Sequence, residues 1–201
     1  MCFQTSFILI ISDPVPQLLC YHPPGLYDPL KDPTVAPGEH GKVFLRWLSG
    51  YYAHGDTLET LAQRDALSEP RPSIENMSPE DLKQNVYEEG TQPDHMDILL
   101  MRSGAKQGAL ERLRVAALFP SHETARDREW GEIELRFVWC DRAVWLLVWS
   151  AWQFKAEIAE DAGDSKKKMR KCSTSCIRGA NHFVGVSLAL QSWIMIRFYL
   201  M

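Results

Sequence analysis

The sequence predicts an α/β fold, a few-stranded sheet with a mainly helical insertion. Three observations predict it. Residues 133–140 alternate and then run apolar through Phe137, Val138 and Trp139, the pattern of a strand entering a core. Residues 143–159 follow as a long helical segment, apolar almost all round through Trp152. Residues 172–177 form a further short strand candidate, so a strand, a helix and a strand follow one another.

From the N-terminus, residues 7–11 and 18–21 are short apolar runs divided by Asp13-Pro14-Val15-Pro16. Proline cannot donate to a ladder, so the two runs are not one strand. Leu18-Leu19-Cys20-Tyr21 reads as a buried strand, ended by the turn signal His22-Pro23-Pro24-Gly25. A proline-rich extended loop leads to residue 40. Residues 40–66 read as one or two helices: Val43, Phe44, Trp47, Leu48, Tyr51 and Tyr52 recur at helical spacing. Asp56-Thr57-Leu58-Glu59 is the cap expected to open the second of them. Ser78-Pro79-Glu80-Asp81 starts another helix, running to about Glu88, with serine as N-cap and acids facing the positive dipole end. Residues 108–119 are amphipathic, with Leu110, Leu113, Ala117 and Leu118 on one side. The expected organisation is a separate N-terminal segment 1–17, a strand and loop 18–39, a helical insertion 40–128, a C-terminal core 129–184 and an apolar tail 185–201.

The chain has 201 residues, 45% hydrophobic and 24% charged, which excludes a disordered polar chain. Its net charge of −4 argues against broad nucleic-acid binding, which needs an excess of Lys and Arg. The five cysteines are an odd number, and the apolar run 7–11 is short and lacks a basic segment before it. Free thiols in a reducing, cytoplasmic setting are the simplest expectation. Residues 183–201 fall just short of the roughly 20 apolar residues of a membrane span and contain Gln191 and Arg197, so a membrane anchor is not expected.

The most informative pair is Asp141 and His182, each just past the C-terminal end of a predicted strand. In open α/β sheets that edge gathers ligands and catalytic groups. An acid there can orient an imidazole, and the imidazole can take a proton from a nucleophile. On spacing alone the plainer reading comes first, with Asp141 capping the next helix and His182 in a turn. Cys172 and Cys176 with His182 invite a zinc reading. Structural zinc takes four ligands in two close pairs, and one pair is present, so buried free cysteines are the expectation. No metal or cofactor is expected. Trp145, Trp149 and Trp152 form a helical stripe that reads as core, and Lys166-Lys167-Lys168 reads as a solvated loop.

Trp130-Gly131-Glu132 leading into Phe137-Val138-Trp139-Cys140-Asp141-Arg142, then Arg178-Gly179-Ala180-Asn181-His182-Phe183, resemble the last two core strands of α/β-hydrolase-fold proteins, closest to fungal members. Pro23-Pro24-Gly25-Leu26-Tyr27-Asp28-Pro29-Leu30 is similar to the stretch leaving that family's sixth core strand, and residues 40–128 to the helical cap after it. The resemblance implies a partial α/β-hydrolase fold over about residues 18–184, Asp141 as triad acid, His182 as triad base, and hydrolysis of ester-like bonds. The family's nucleophile precedes the acid on a Gly-x-Ser-x-Gly elbow, and this sequence has no such motif. Gly185-Val186-Ser187-Leu188-Ala189 fits only loosely, follows the histidine and has no strand before it. Residues 1–17 and those after Val184 are unlike the family and read as foreign sequence around a family-like core. The expectation is a chain that takes a small-molecule substrate only when completed by a nucleophile-bearing half, and that is inactive alone. The alternatives are a non-catalytic fragment, a small binding protein or a tail-anchored membrane protein. An open sheet edge would favour self-association.

Overall fold

The computed structural model describes residues 8–86, 96–120, 133–161 and 169–183. At the centre of its sheet runs β2 (Glu134–Cys140), buried along both faces at Leu135, Phe137, Val138 and Cys140. The sheet has three strands in the order β1–β2–β3, with β1 at Ile8–Ser12 and β3 at Cys172–Ile177. β1 lies parallel to β2, with Ile8 opposite Glu134 and Ser12 opposite Val138. β3 is parallel too. The Leu135 N–H donates to Lys171 O and the Asp141 N–H to Ile177 O, so the partner advances in step with the strand. Parallel neighbours need a long crossover, which α5 (Trp145–Asp161) supplies between β2 and β3.

By its contacts the chain divides into two compact units. The first comprises Met1–Pro24, Met96–Trp139 and Leu146–Cys176; the second comprises Gly25–His95, Cys140–Trp145 and Ile177–Met201. In the first unit Leu19, Leu118, Leu135, Phe137, Ala151, Phe154 and Met169 form the core. The rings of Phe137 and Phe154 stack 5.3 Å apart. Helices α3 (Met96–Lys106) and α4 (Ala109–Leu118) join at Gly108, whose φ of +65° suits a residue without a Cβ. The inward face of α4 differs from the expected one. Leu113 is exposed, and Arg114 takes the place beside Leu110, Ala117 and Leu118. The reason is a partner on α5: the Arg114 guanidinium binds the Glu157 carboxylate, which also accepts from the Tyr21 hydroxyl at 2.5 Å.

The first strand is likewise not where the spacing puts it. Residues 8–12 form it, and Leu18-Leu19-Cys20-Tyr21 is a turn. The Leu19 and Tyr21 N–H groups both donate to Pro16 O, and Cys20 has a φ of +57°. That turn drops Leu19 into the core and leaves Leu18 out.

The second unit is loop-rich. It holds α1 (His40–Leu48), α2 (Pro79–Asn85) and 3-10 turns at Pro29–Lys31, Leu58–Thr60 and Ser73–Asn76. The Ser78 cap is as expected, with Ser78 and Asp81 bonding each other's backbone N–H. That helix ends sooner than expected, at Asn85. The second helix expected after Thr57 is a single turn, because the chain turns extended at Leu61, which is buried. Among the described residues no helix is long and apolar enough to cross a membrane. The lysine run 166–168, the Ser187 motif and the tail lie outside the described residues.

Candidate active site

Asp141 leaves the C-terminal end of β2, and His182 lies in the loop that leaves β3. Both belong to the second unit. Hydrogen bonds lace the two segments together: Asp141 N–H to Ile177 O at 3.4 Å, Arg142 N–H to Ala180 O at 3.0 Å, and Gly179 N–H to Asp141 Oδ1 at 2.6 Å. Gly179 has a φ of +73°, which turns its N–H back onto the carboxylate. The Asp141 carboxylate therefore bonds a backbone N–H of the histidine loop.

Asn181 fixes the residue before the histidine. Its side chain is buried, and Nδ2 donates to Ser49 O at 2.6 Å and to Ser73 Oγ at 2.9 Å. Its Oδ1 accepts from the Phe183 N–H at 3.0 Å. His182 is half-buried between these anchors and meets the Phe183 ring edge-on at 5.8 Å. The loop is thus tied to α1 through Ser49 and to the 3-10 turn at Ser73–Asn76.

A second imidazole belongs to this region and was not singled out by spacing. His54 Nε2–H donates to Ala143 O at 2.7 Å, and Nδ1 accepts from the Ala62 N–H at 3.1 Å. An acceptor at one nitrogen and a donor at the other define the neutral Nε2–H tautomer. Burial pushes the His54 pKa below its ordinary value, against the opposing pull of the Ala143 carbonyl and the Asp141 charge. With both nitrogens engaged, His54 braces the turn after Asp141. The sequence His54-Gly55-Asp56 carries no signal beyond a loop. Tyr52 adds to the brace, its N–H donating to Arg142 O at 3.0 Å and its hydroxyl to Trp47 O at 2.8 Å.

The remaining candidates resolve as packing. Trp145 and Trp149 are buried and Trp152 is half-buried; the Trp145 indole donates to Tyr27 O at 2.9 Å. Cys172 is half-buried and burial pushes its thiol up to about 11. Cys176 is exposed, contrary to the expectation of a buried pair, because β3 is an edge strand. Among the described residues no three metal-ligating side chains gather. The second unit also carries an open cleft of about 610 Å³ lined in part by Trp47 and Tyr52. Compared with family models, curated proteins and solved structures, the chain finds no match.

Proposed function

We propose that this chain carries the acid-and-histidine part of an α/β-hydrolase-fold enzyme that cleaves ester-like bonds. One observation carries the reading. An acid ends the central strand of a parallel sheet, a histidine follows the next strand, and hydrogen bonds lace the two loops together. Three further features support it. The sheet order β1–β2–β3 follows the chain order, a long partly helical insertion separates β1 from β2, and a helix crosses from β2 to β3.

In this reading Asp141 holds the imidazole in one tautomer and steadies its positive charge. A carboxylate accepts at both oxygens, so the Oδ1 bond to Gly179 leaves Oδ2 for the Nδ1–H of His182. His182 Nε2 takes the proton of a hydroxyl nucleophile as that oxygen attacks the ester carbonyl, then gives it to the departing alcohol. Water repeats the exchange and frees the acid. The attacking hydroxyl comes from a Gly-x-Ser-x-Gly elbow, which these 201 residues do not contain. Asn181 and His54 position the two loops and touch neither substrate nor proton.

The test is to sequence the full transcript across both ends of this reading frame and assay its product on p-nitrophenyl esters. The expected result is an in-frame Gly-x-Ser-x-Gly upstream, with turnover falling by about three orders of magnitude or more in both Asp141→Asn and His182→Ala. A message with no such motif, or turnover indifferent to both changes, overturns the proposal.

A further inference from the structure

We infer that His54 is an acid-released latch, whose protonation frees the segment 61–67 from the turn that follows Asp141. The inference stands apart from the hydrolase reading, since it concerns a movement of this chain alone. His54 clasps two stretches far apart in sequence. Its Nε2–H donates to Ala143 O at 2.7 Å, and its Nδ1 accepts from the Ala62 N–H at 3.1 Å. The first bond survives protonation, because a carbonyl accepts from imidazole and imidazolium alike. The second does not. An imidazolium carries a hydrogen on both nitrogens, so its Nδ1–H would face the Ala62 N–H, donor against donor. His40 shows the contrast: its Nε2 meets Asp32 O at 3.2 Å, an acceptor that a protonated ring keeps.

The surroundings set where the ring charges. His54 is half-buried and stacks on Tyr52, with centroids 5.9 Å apart and planes 23° from parallel. Burial pushes the Tyr52 hydroxyl up, so that neighbour stays uncharged. Charged side chains stand on each stretch that holds the ring: Asp141 and Arg142 on one side, Arg64 and Asp65 on the other, and Asp56 beside it. Among them Asp141 is the one whose charge acts on His54, favouring the imidazolium against the larger opposing effect of burial. The latch is therefore closed at neutral pH and opens below the ordinary histidine value of about 6.5.

The freed segment is a wall of the open cleft. Residues 55–60 form a closed turn, tied by the Gly55 N–H to Thr60 O at 2.9 Å, and the Leu67 N–H donates to Tyr51 O at 2.7 Å. Between these ties Ala62 sits beside buried Leu61 and beside Gln63. Gln63 O accepts from the Trp47 indole at 2.8 Å, and its Oε1 accepts from the Tyr27 N–H at 3.2 Å. Residues 64–68 continue from there as cleft lining. Loss of the Ala62 bond loosens that lining from its upstream end, and the Trp47 indole reports it.

The test follows the purified chain by NMR from about pH 8 to about pH 5, reading the His54 ring, the Ala62 amide and the Trp47 indole N–H. All three are expected to change together, with one midpoint below about 6.5. His54→Gln offers an amide N–H to Ala143 and an oxygen to Ala62 but does not titrate, so the Ala62 and Trp47 changes are expected to vanish. A ring that titrates while Ala62 or Trp47 stays still, or shifts at another midpoint, overturns the inference. A ring that stays neutral down to about pH 5 overturns it as well. Ala62 and Trp47 changes that persist in His54→Gln assign the effect to another group and contradict the latch. The shared midpoint is read on the native chain, so it stands even if the variant misfolds.

Discussion

The two units are built by different means. In the first, apolar side chains from β2, α4, α5 and the turn at Leu19 meet face to face, and Phe137 stacks on Phe154. In the second, polar side chains reach across loops to backbone groups: Asn181 to Ser49, His54 to Ala143 and Ala62, Trp47 to Gln63, Trp145 to Tyr27. The first unit draws on area removed from water, which is non-directional and tolerates local adjustment. The second draws on directional bonds, each worth little net but costly to leave half-made. The candidate acid and histidine lie on the directional side, where loops are held at particular angles.

The largest effect should come from the apolar side. Phe137→Ala removes a ring that is 1% exposed and is expected to cost about 3–5 kcal/mol in urea denaturation. A loss below about 1 kcal/mol would mean that the core does not close around β2. On the polar side, Asn181→Ala should cost about 1–3 kcal/mol, because Ser49 O and Ser73 Oγ lose their donor inside the fold. A double-mutant cycle with Ser73→Ala should recover part of that loss. Strict additivity would show that the two side chains do not bond in solution.

Acid should separate the units. Hydrogen bonds from Lys171 and Ser173, then Arg136, hold the Glu134 carboxyl at about 2. Its folded value lies below the unfolded one, so its stabilisation is complete above about pH 4.3 and fades as pH falls towards 2. Lys171 is largely exposed, so salt should weaken the effect. Burial depresses His54 in the same sense, and its contribution is present above about pH 6.5 and fades below it. Protonation at Nδ1 also ends the bond from the Ala62 N–H. Amide protection, relative to the intrinsic exchange rate at each pH, should therefore fall first at Ala62 as pH drops below that value, with Leu135 protected to much lower pH. Simultaneous loss at both amides would contradict the comparison. Glu134→Gln should flatten the lower window and leave the upper one.

The same contrast explains which parts of the fold can be read from spacing. β2, β3, α5 and the Ser78 cap follow from apolar runs and local capping chemistry, and the structure puts them within a few residues of the expected positions. Spacing does not locate the first strand because two apolar runs flank the prolines, and only tertiary pairing chooses 8–12 over 18–21. Periodicity favoured Leu113 over Arg114 because it cannot see that Glu157 waits on another helix. At the site, the positions of Asp141 and His182 beyond strand ends were legible. The roles of Asn181 and His54 were not, since each depends on a backbone group far away in sequence.

Under the proposed function, Asp141 and His182 would serve as acid and base to a hydroxyl carried on a Gly-x-Ser-x-Gly elbow, a motif these 201 residues do not contain. The most direct measurement is p-nitrophenyl acetate hydrolysis by the purified 201-residue protein beside its His182→Ala variant. The account predicts that both match the rate in buffer containing an inert protein of equal histidine content. A saturable rate that disappears on His182→Ala would place a working nucleophile within this chain and contradict it.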